Sequence, residues 1–318
     1  MIKKIFITGA AGFIGSHLSE KLYENFKNAR FVLYDKITYA ANKNYLKKLL
    51  KKKNIIFVRD DILNFKSLQN NLINVDLAIN VAAESHVDNS FGNSLIFTKT
   101  NTLGTHFFLE ACRKKKVKKI IHVSTDEVYG ENLAKPYKEN QLLNPSNPYS
   151  ASKAGADMMV NAYNKSYKMN IITVRANNIY GTRQYPEKLI SKSIYSFISN
   201  EKMTVHGKGN NYRFYLSVND FCEGIIQIIL KGKSGQVYNI ASENKFKVIE
   251  VIRIIAKYLN KDFKNNIKFV KDRPFNDKIY KINCNKIKSL NWSTKHNLED
   301  DLPEICRWYK KNINYFKK

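Results

Sequence analysis

Short, unbroken apolar runs at 4–8, 30–34, 55–59, 77–81, 120–124 and 171–175 predict buried strands. Between them, apolar residues recur at helical spacing over 12–26, 65–71, 98–114 and 149–168. Strands alternating with helices in this way predict an α/β fold built on a doubly wound parallel sheet. In such sheets ligands sit beyond the carboxyl ends of the strands, so the residues just after each run carry the chemistry. The second half is less regular, with a strand expected at 237–240 and helices at 248–259 and 298–311.

The first strand runs into Thr8-Gly9-Ala10-Ala11-Gly12-Phe13-Ile14-Gly15, which opens the first helix. Glycines allow a tight turn and close backbone approach to a pyrophosphate, and the helix N-terminus offers free N–H groups. The fold class is therefore read as a Rossmann-type doubly wound sheet with a smaller mixed α/β substrate-binding lobe. The cofactor domain is expected over 1–176, completed by about 212–240, and the lobe over 177–211 and 241–318. Asp35 follows the second strand, where a carboxylate accepts the ribose hydroxyls and repels a 2′-phosphate, which favours NAD. Lys36 beside it softens that preference, and a plain helix-capping role for Asp35 is the alternative. Asp61-Ile62 after the third strand could hold adenine, and the small Ala82-Ala83 after the fourth lets a cofactor lie close.

Composition narrows the partners. Net charge is +27, which invites a nucleic-acid reading, yet only nine of the 54 basic residues are Arg. The lysines are scattered, and the dense runs at 47–53 and 113–119 fall where helices should end. A solvated basic surface is the expectation, without nucleic acid as partner. No apolar run reaches the roughly 18 residues of a membrane span. The start of the chain shows no leader pattern, which points to the cytosol. Cys112, Cys222, Cys284 and Cys306 are too far apart for a zinc site or a disulfide framework, so no metal is expected.

Tyr149 and Lys153 lie four apart, on one face of a helix. A free phenol has a pKa near 10. A neighbouring ammonium and an oxidised nicotinamide would favour the phenolate, which could take a proton from an alcohol as hydride leaves. Ser124 or Thr125 could complete the hydrogen bonding. Asp126-Glu127 follow directly, and two adjacent carboxyls suit chemistry needing one proton donor and one acceptor if their pKa values are pushed apart.

These residues resemble the extended short-chain dehydrogenase/reductase superfamily. Within it, the chain is similar to the nucleotide-diphosphate-glucose 4,6-dehydratases over nearly its whole length. The likeness rests on the segments at 35–39, 82–88 and 124–130, on Tyr149-Ser-Ala-Ser-Lys153, on Asn177-Asn178, and on the segments at 186–190 and 272–274. It implies conversion of dTDP-glucose or UDP-glucose to the 4-keto-6-deoxy sugar, with NAD recycled in place. Tyr149 would deprotonate the 4-hydroxyl with Thr125 on the 4-oxygen, Glu127 would take the C5 proton, and Asp126 would protonate the departing 6-hydroxyl. The likeness further implies cofactor contacts from Phe13, Ile14, Lys36, Thr38, Ile62, Ser85, Thr100, Tyr149 and Lys153. Ser85, Thr125, Asn178, Glu187, Lys188, Arg213, Asn239, Arg273 and Asn276 would hold the substrate. Asn276, and Phe214-Tyr215 after Arg213, depart from the bacterial dTDP pattern, and the segments at 87–93 and 273–277 lean toward the UDP-glucose enzymes. A homodimer through the helices at 98–114 and 149–168 is the family expectation. An epimerase or decarboxylase on the same scaffold, and a non-catalytic dinucleotide- or RNA-binding protein, are the alternatives. The acid pair argues against the former, the intact Tyr149 and Lys153 against the latter.

Overall fold

The structure is a computed structural model that describes residues 1–132, 135–271 and 280–316. In chain order its elements begin β1 (Lys4–Thr8), α1 (Phe13–Asn25), β2 (Arg30–Asp35), β3 (Ile55–Arg59), α2 (Phe65–Asn71) and β4 (Leu77–Asn80). There follow α3 (Val87–Gly92), α4 (Ser94–Phe97), a π-helical turn over Thr98–Leu103, α5 (Gly104–Lys114), β5 (Lys119–Thr125) and α6 (Pro148–Tyr167). Next come β6 (Ile171–Ala176), β7 (Asn178–Tyr180), α7 (Leu189–Ile198), β8 (Met203–His206), β9 (Tyr212–Ser217), α8 (Val218–Lys231) and β10 (Val237–Ile240). The chain continues through β11 (Lys245–Lys247), α9 (Val248–Tyr258), β12 (Ile267–Val270), α10 (Asn285–Lys288) and α11 (Leu298–Asn312).

Seven strands form one parallel sheet in the order β10-β6-β5-β4-β1-β2-β3. Ile5, Phe6 and Ile7 of β1 and Leu77, Ala78 and Ile79 of β4 have no exposed surface, because helices cover both faces. One face packs on α1 and α8 through Leu18, Leu22, Phe221 and Ile225. The other packs on α2, α5 and α6 through Leu68, Phe108, Leu109 and Val160. The chain reverses its winding between β1 and β4, which opens the crevice where such sheets take ligands.

The second unit has its own core. Ile190, Ile194, Ile252, Ile255, Leu302 and Tyr309 pack α7, α9 and α11 over a three-stranded sheet, β11-β9-β7, and a two-stranded one, β12-β8. Tyr212–Ser217, read from sequence with the segment completing the large sheet, belongs instead to this small sheet. Its strand β9 pairs with β7, which leaves β6 after a single residue, and the return to the large sheet begins with α8.

Two further expectations change. The stretch at 98–114 is not one regular helix, since its first turn is π-helical. That wide turn buries Asn101, whose amide brackets the Glu84 backbone and reaches Ser152 Oγ at 2.9 Å. The basic run at 47–53 ends no α-helix and lies on and around two short 3-10 turns, Lys43–Leu46 and Leu49–Lys51. No helix among the described residues is long and apolar enough to cross a membrane.

Candidate active site

A cavity of about 670 Å³ runs along the carboxyl ends of the sheet and under the second unit. At one end is the glycine turn. Gly9 has φ +66°, and a Cβ there would stand 2.7 Å from the Ala82 nitrogen. A Cβ on Gly15 would stand 1.9 Å from the Gly9 carbonyl oxygen. The turn is thus pressed against the chain just after β4 with no room for a side chain at Gly9 or Gly15, and α1 begins at Phe13 without a side-chain cap. Its N–H groups, at Phe13, Ile14 and Gly15, line the cavity and suit a pyrophosphate. Gly15→Ala is expected to cost about 1–3 kcal/mol through overpacking and to strip the purified protein of cofactor. Thermal unfolding and the nucleotide content of the purified protein check this.

Asp35 is buried at the end of β2 and accepts from the Ala11 nitrogen at 2.9 Å and the Ile37 nitrogen at 2.7 Å. Burial pushes its pKa up and these backbone donors pull it back. It therefore ties the glycine turn to β2, and a carboxylate with about four acceptor positions keeps capacity for a ribose hydroxyl beyond these backbone donors. Lys36 makes an ion pair with Asp61 at 2.6 Å, so its charge is matched within the protein. Thr38, Asp61, Ile62, Ala82, Ala83, Ser85 and Thr100 line the same cavity. The residues present fit a dinucleotide: a cradle that only glycine can occupy, a helix N-terminus and a carboxylate one strand over.

At the carboxyl end of β5, Thr125 caps a 3-10 turn, Asp126–Tyr129, by accepting from the Glu127 nitrogen at 3.2 Å. The turn sends the two carboxyls into unlike surroundings. Asp126 is 3% exposed, and its Oδ2 is buried without a hydrogen-bond partner. Burial, and then the charge of Glu127, push its pKa up to about 8. Glu127 is reached by the Asn147 amide at 3.3 Å. Asn147 also caps α6, with Pro148 in the first turn and a reciprocal Ser150 bond. The Asn-Pro start of that helix was the sequence signal for Asn147, and it was missed.

Tyr149 and Lys153 lie on α6, both lining the cavity. Lys153 Nζ donates to the Val123 carbonyl at 2.7 Å, and burial pulls its pKa down to about 8. The Tyr149 phenol is pushed above its ordinary value, first by burial and then by Glu127, with a Thr125 hydrogen bond pulling the other way. Burial and the neighbouring carboxylates keep the phenol protonated, so the phenolate depends on the positive charge that the oxidised nicotinamide would add. Ser124 Oγ is buried here without a partner.

On the far wall, Asn178, Glu187, Lys188 and Arg213 line the cavity. Lys188 Nζ donates to the Ser85 carbonyl at 2.5 Å and lies 6.0 Å from the Tyr149 ring. Glu187 accepts from Tyr39, whose loop crosses from the cofactor side, at 2.9 Å. Asn239 is not in the cavity. It is fully buried, its amide donates to the Tyr137 and Asn283 carbonyls, and its oxygen accepts from Tyr129. Every polar atom of that side chain is spent on packing, so it holds the fold and not a ligand. Arg273 and Asn276 lie outside the described residues. Glu84, Asn177 and Tyr215, which lie in segments that carried the family likeness or departed from it but were given no role, also line the cavity.

A glycine cradle at the first strand end, joined through one cavity to a Tyr149/Lys153 helix, is the architecture of an extended short-chain dehydrogenase/reductase. The model of the GDP-mannose 4,6 dehydratase family matches residues 6–305, and the chain belongs to that family. A dTDP-D-glucose 4,6-dehydratase of Dictyostelium discoideum is 40% identical over 361 residues, spanning 99% of this chain and 83% of the relative. A trifunctional UDP-glucose 4,6-dehydratase of Arabidopsis thaliana, which also carries epimerase and reductase activities in its name, is 44% identical over 99% of this chain. This chain spans about half, 48%, of that relative. Among solved structures, a dTDP-glucose 4,6-dehydratase of Streptomyces venezuelae with NAD bound superimposes with a TM-score of 0.96 at 33% identity, covering 99% of both chains.

Proposed function

We propose that this chain is an NAD-dependent 4,6-dehydratase of nucleoside-diphosphate glucose, taking UDP-glucose or dTDP-glucose to the 4-keto-6-deoxy sugar and water. The observation that carries the reading is the split acid pair: Asp126 buried with an unpartnered oxygen, Glu127 held by Asn147, both beside Tyr149. Dehydration across C5 and C6 needs one neutral acid and one base, and two unlike environments supply them. The glycine turn and Asp35 would hold NAD, which would supply a hydride acceptor for C4 and the hydride for C6. Tyr149 takes the 4-hydroxyl proton, with Thr125 on the same oxygen. Glu127 removes the proton that the 4-ketone has made acidic at C5, Asp126 delivers its proton to the departing 6-hydroxyl, and Glu127 gives a proton back to C5 as C6 is reduced. Lys188, Arg213 and Asn178 hold the diphosphate by charge-assisted bonds. Arg273 and Asn276 belong to the same proposed set.

The base is proposed as uracil, on the sequence likeness of the segments at 87–93 and 273–277; one methyl group discriminates by only about 1–3 kcal/mol. We also propose a homodimer, because Leu95, Leu103, Met158 and Tyr167 on α4, the π turn and α6 present exposed apolar side chains. The four free, buried cysteines suit a reducing compartment such as the cytosol. As a domain division we propose 1–176 with 218–240 for the cofactor, and 177–217 with 241–318 for the sugar nucleotide.

Incubation with each nucleotide sugar, followed by product analysis, tests the reading. A 4-keto-6-deoxy product supports it, and a product epimerised at C4 with the 6-hydroxyl intact defeats it. Glu127→Gln is expected to suppress exchange of the C5 hydrogen with solvent deuterium by about 10²–10⁴-fold, read by mass spectrometry of recovered sugar.

A further inference from the structure

Directly after β2 the chain forms a strap, 36–42, whose tip, Tyr39, the proposed chemistry does not use. Its two ends are fixed to the cofactor side. Ile37 N donates to Asp35 Oδ1 at 2.7 Å, Lys36 pairs with Asp61 at 2.6 Å, and Asn42 N donates to the Ala11 carbonyl of the glycine turn at 2.9 Å. Ile37 has φ +59°, a left-handed conformation that a β-branched residue rarely holds. Such a conformation persists only where its surroundings impose it, and the Asp35 carboxylate does so here. Ala41 N closes a turn on the Thr38 carbonyl at 3.1 Å, which puts Tyr39 at the tip. Lys36, Thr38, Ala40 and Ala41 line the cavity, so the strap forms part of its wall.

The tip is tied to the second unit. Tyr39 Oη donates to Glu187 Oε2 at 2.9 Å, and its ring meets Tyr185 edge-on at a centroid distance of 5.2 Å. Tyr185 rests in turn on Phe316, a core residue of that unit, at 6.2 Å. The residue after Glu187 makes a second tie: Lys188 Nζ donates to the Ser85 carbonyl at 2.5 Å. Glu187 and Lys188 thus hold the loops that follow β2 and β4. Those strands flank β1, so the two ties stand on either side of the glycine turn. Tyr39 is 48% exposed, and its phenol can release Glu187 into water without disturbing a core. The carboxylate keeps acceptor capacity for a substrate hydroxyl beyond this one donor.

We propose that Tyr39 is a positioning residue that retains the dinucleotide: bonded to Glu187, it closes the strap against the second unit and bars the way out of the glycine turn. The need for retention rests on the dehydratase reading above, because hydride taken at C4 must still be at hand for C6. Loss of the bond frees the tip while the strap's ends stay fixed, so the cofactor escapes faster and its seat is unchanged.

The test is exchange of bound NAD. Holoenzyme carrying NAD labelled in the adenine is mixed with excess unlabelled NAD, without sugar nucleotide, and loss of label is timed. Tyr39→Phe keeps the ring and removes the oxygen, and it is expected to release NAD about 3–10-fold faster than wild type, the worth of one hydrogen bond. Tyr39→Ala, which also loses the Tyr185 contact, is expected to release it at least as fast. In turnover without added NAD the Phe variant is expected to slow progressively, and excess NAD is expected to restore it; damage to the fold would not be repaired in that way. Equal release from wild type and the Phe variant overturns the proposal. Fast release from the Ala variant alone assigns retention to the ring contact and overturns the role of the hydrogen bond. Release is measured independently of the sugar reaction. If wild type makes no 4-keto product from either sugar, the dehydratase reading falls, while faster release from the Phe variant still establishes the tie.

Discussion

Tyr149→Phe is expected to stop sugar oxidation, lowering the single-turnover rate by about 10²–10⁴-fold. The substitution deletes one oxygen and keeps the ring, which packs edge-on against Phe97 at a centroid distance of 6.3 Å. The fold and the cavity should therefore survive, and binding of UDP or dTDP should be unaltered by calorimetry. What is lost is the group that takes the 4-hydroxyl proton. Burial and Glu127 hold that phenol protonated at neutral pH. Its deprotonation therefore depends on positive charge brought by the bound cofactor and kept by Lys153, and the wild-type oxidation rate should rise with pH until Lys153 titrates. Absorbance of reduced nicotinamide in a single turnover reads the step. Wild-type oxidation by the Phe variant would remove Tyr149 from the mechanism.

Asp126→Asn is expected to leave oxidation within a few-fold of wild type and to slow loss of water by about 10²–10⁴-fold. The amide cannot deliver a proton to the 6-hydroxyl. The wild-type dehydration rate should fall as pH rises through about 8, where Asp126 loses its proton. Stability falls with pH in the same direction. The carboxyl's folded-state pKa is raised, so its contribution is fully present below the ordinary value near 3.9 and is lost as pH rises through about 8. Above that pH the Asn variant should melt at a higher temperature than wild type, while being the poorer dehydratase. Trapped 4-keto-glucose nucleotide, identified by mass spectrometry, would mark the blocked step. Dehydration at the wild-type rate would mean that Asp126 is not the acid.

Much of the frame was legible because it is local. The runs at 4–8 and 55–59 became β1 and β3, and the helical spacing at 65–71 became α2, with the same bounds. The lobe was less so: β7 and β11 are three residues each, too short to show a period, and they exist by pairing with β9. Asn239 shows the limit from the other side. It stands at a strand's carboxyl end, where ligand-binding residues gather, and only its bonds to Tyr137, Asn283 and Tyr129 reveal a packing role.

The sequence by itself determined the glycine turn, the Tyr149/Lys153 face and the adjacency of Asp126 and Glu127, since each depends on backbone geometry within a few residues. Only the tertiary structure decided that Asp126 is the buried member of the acid pair, that Lys153 donates to the Val123 carbonyl, and that burial raises the phenol's pKa. Protonation depends on desolvation and on charges from β5, β6 and α6 at close range, and chain spacing does not encode those distances.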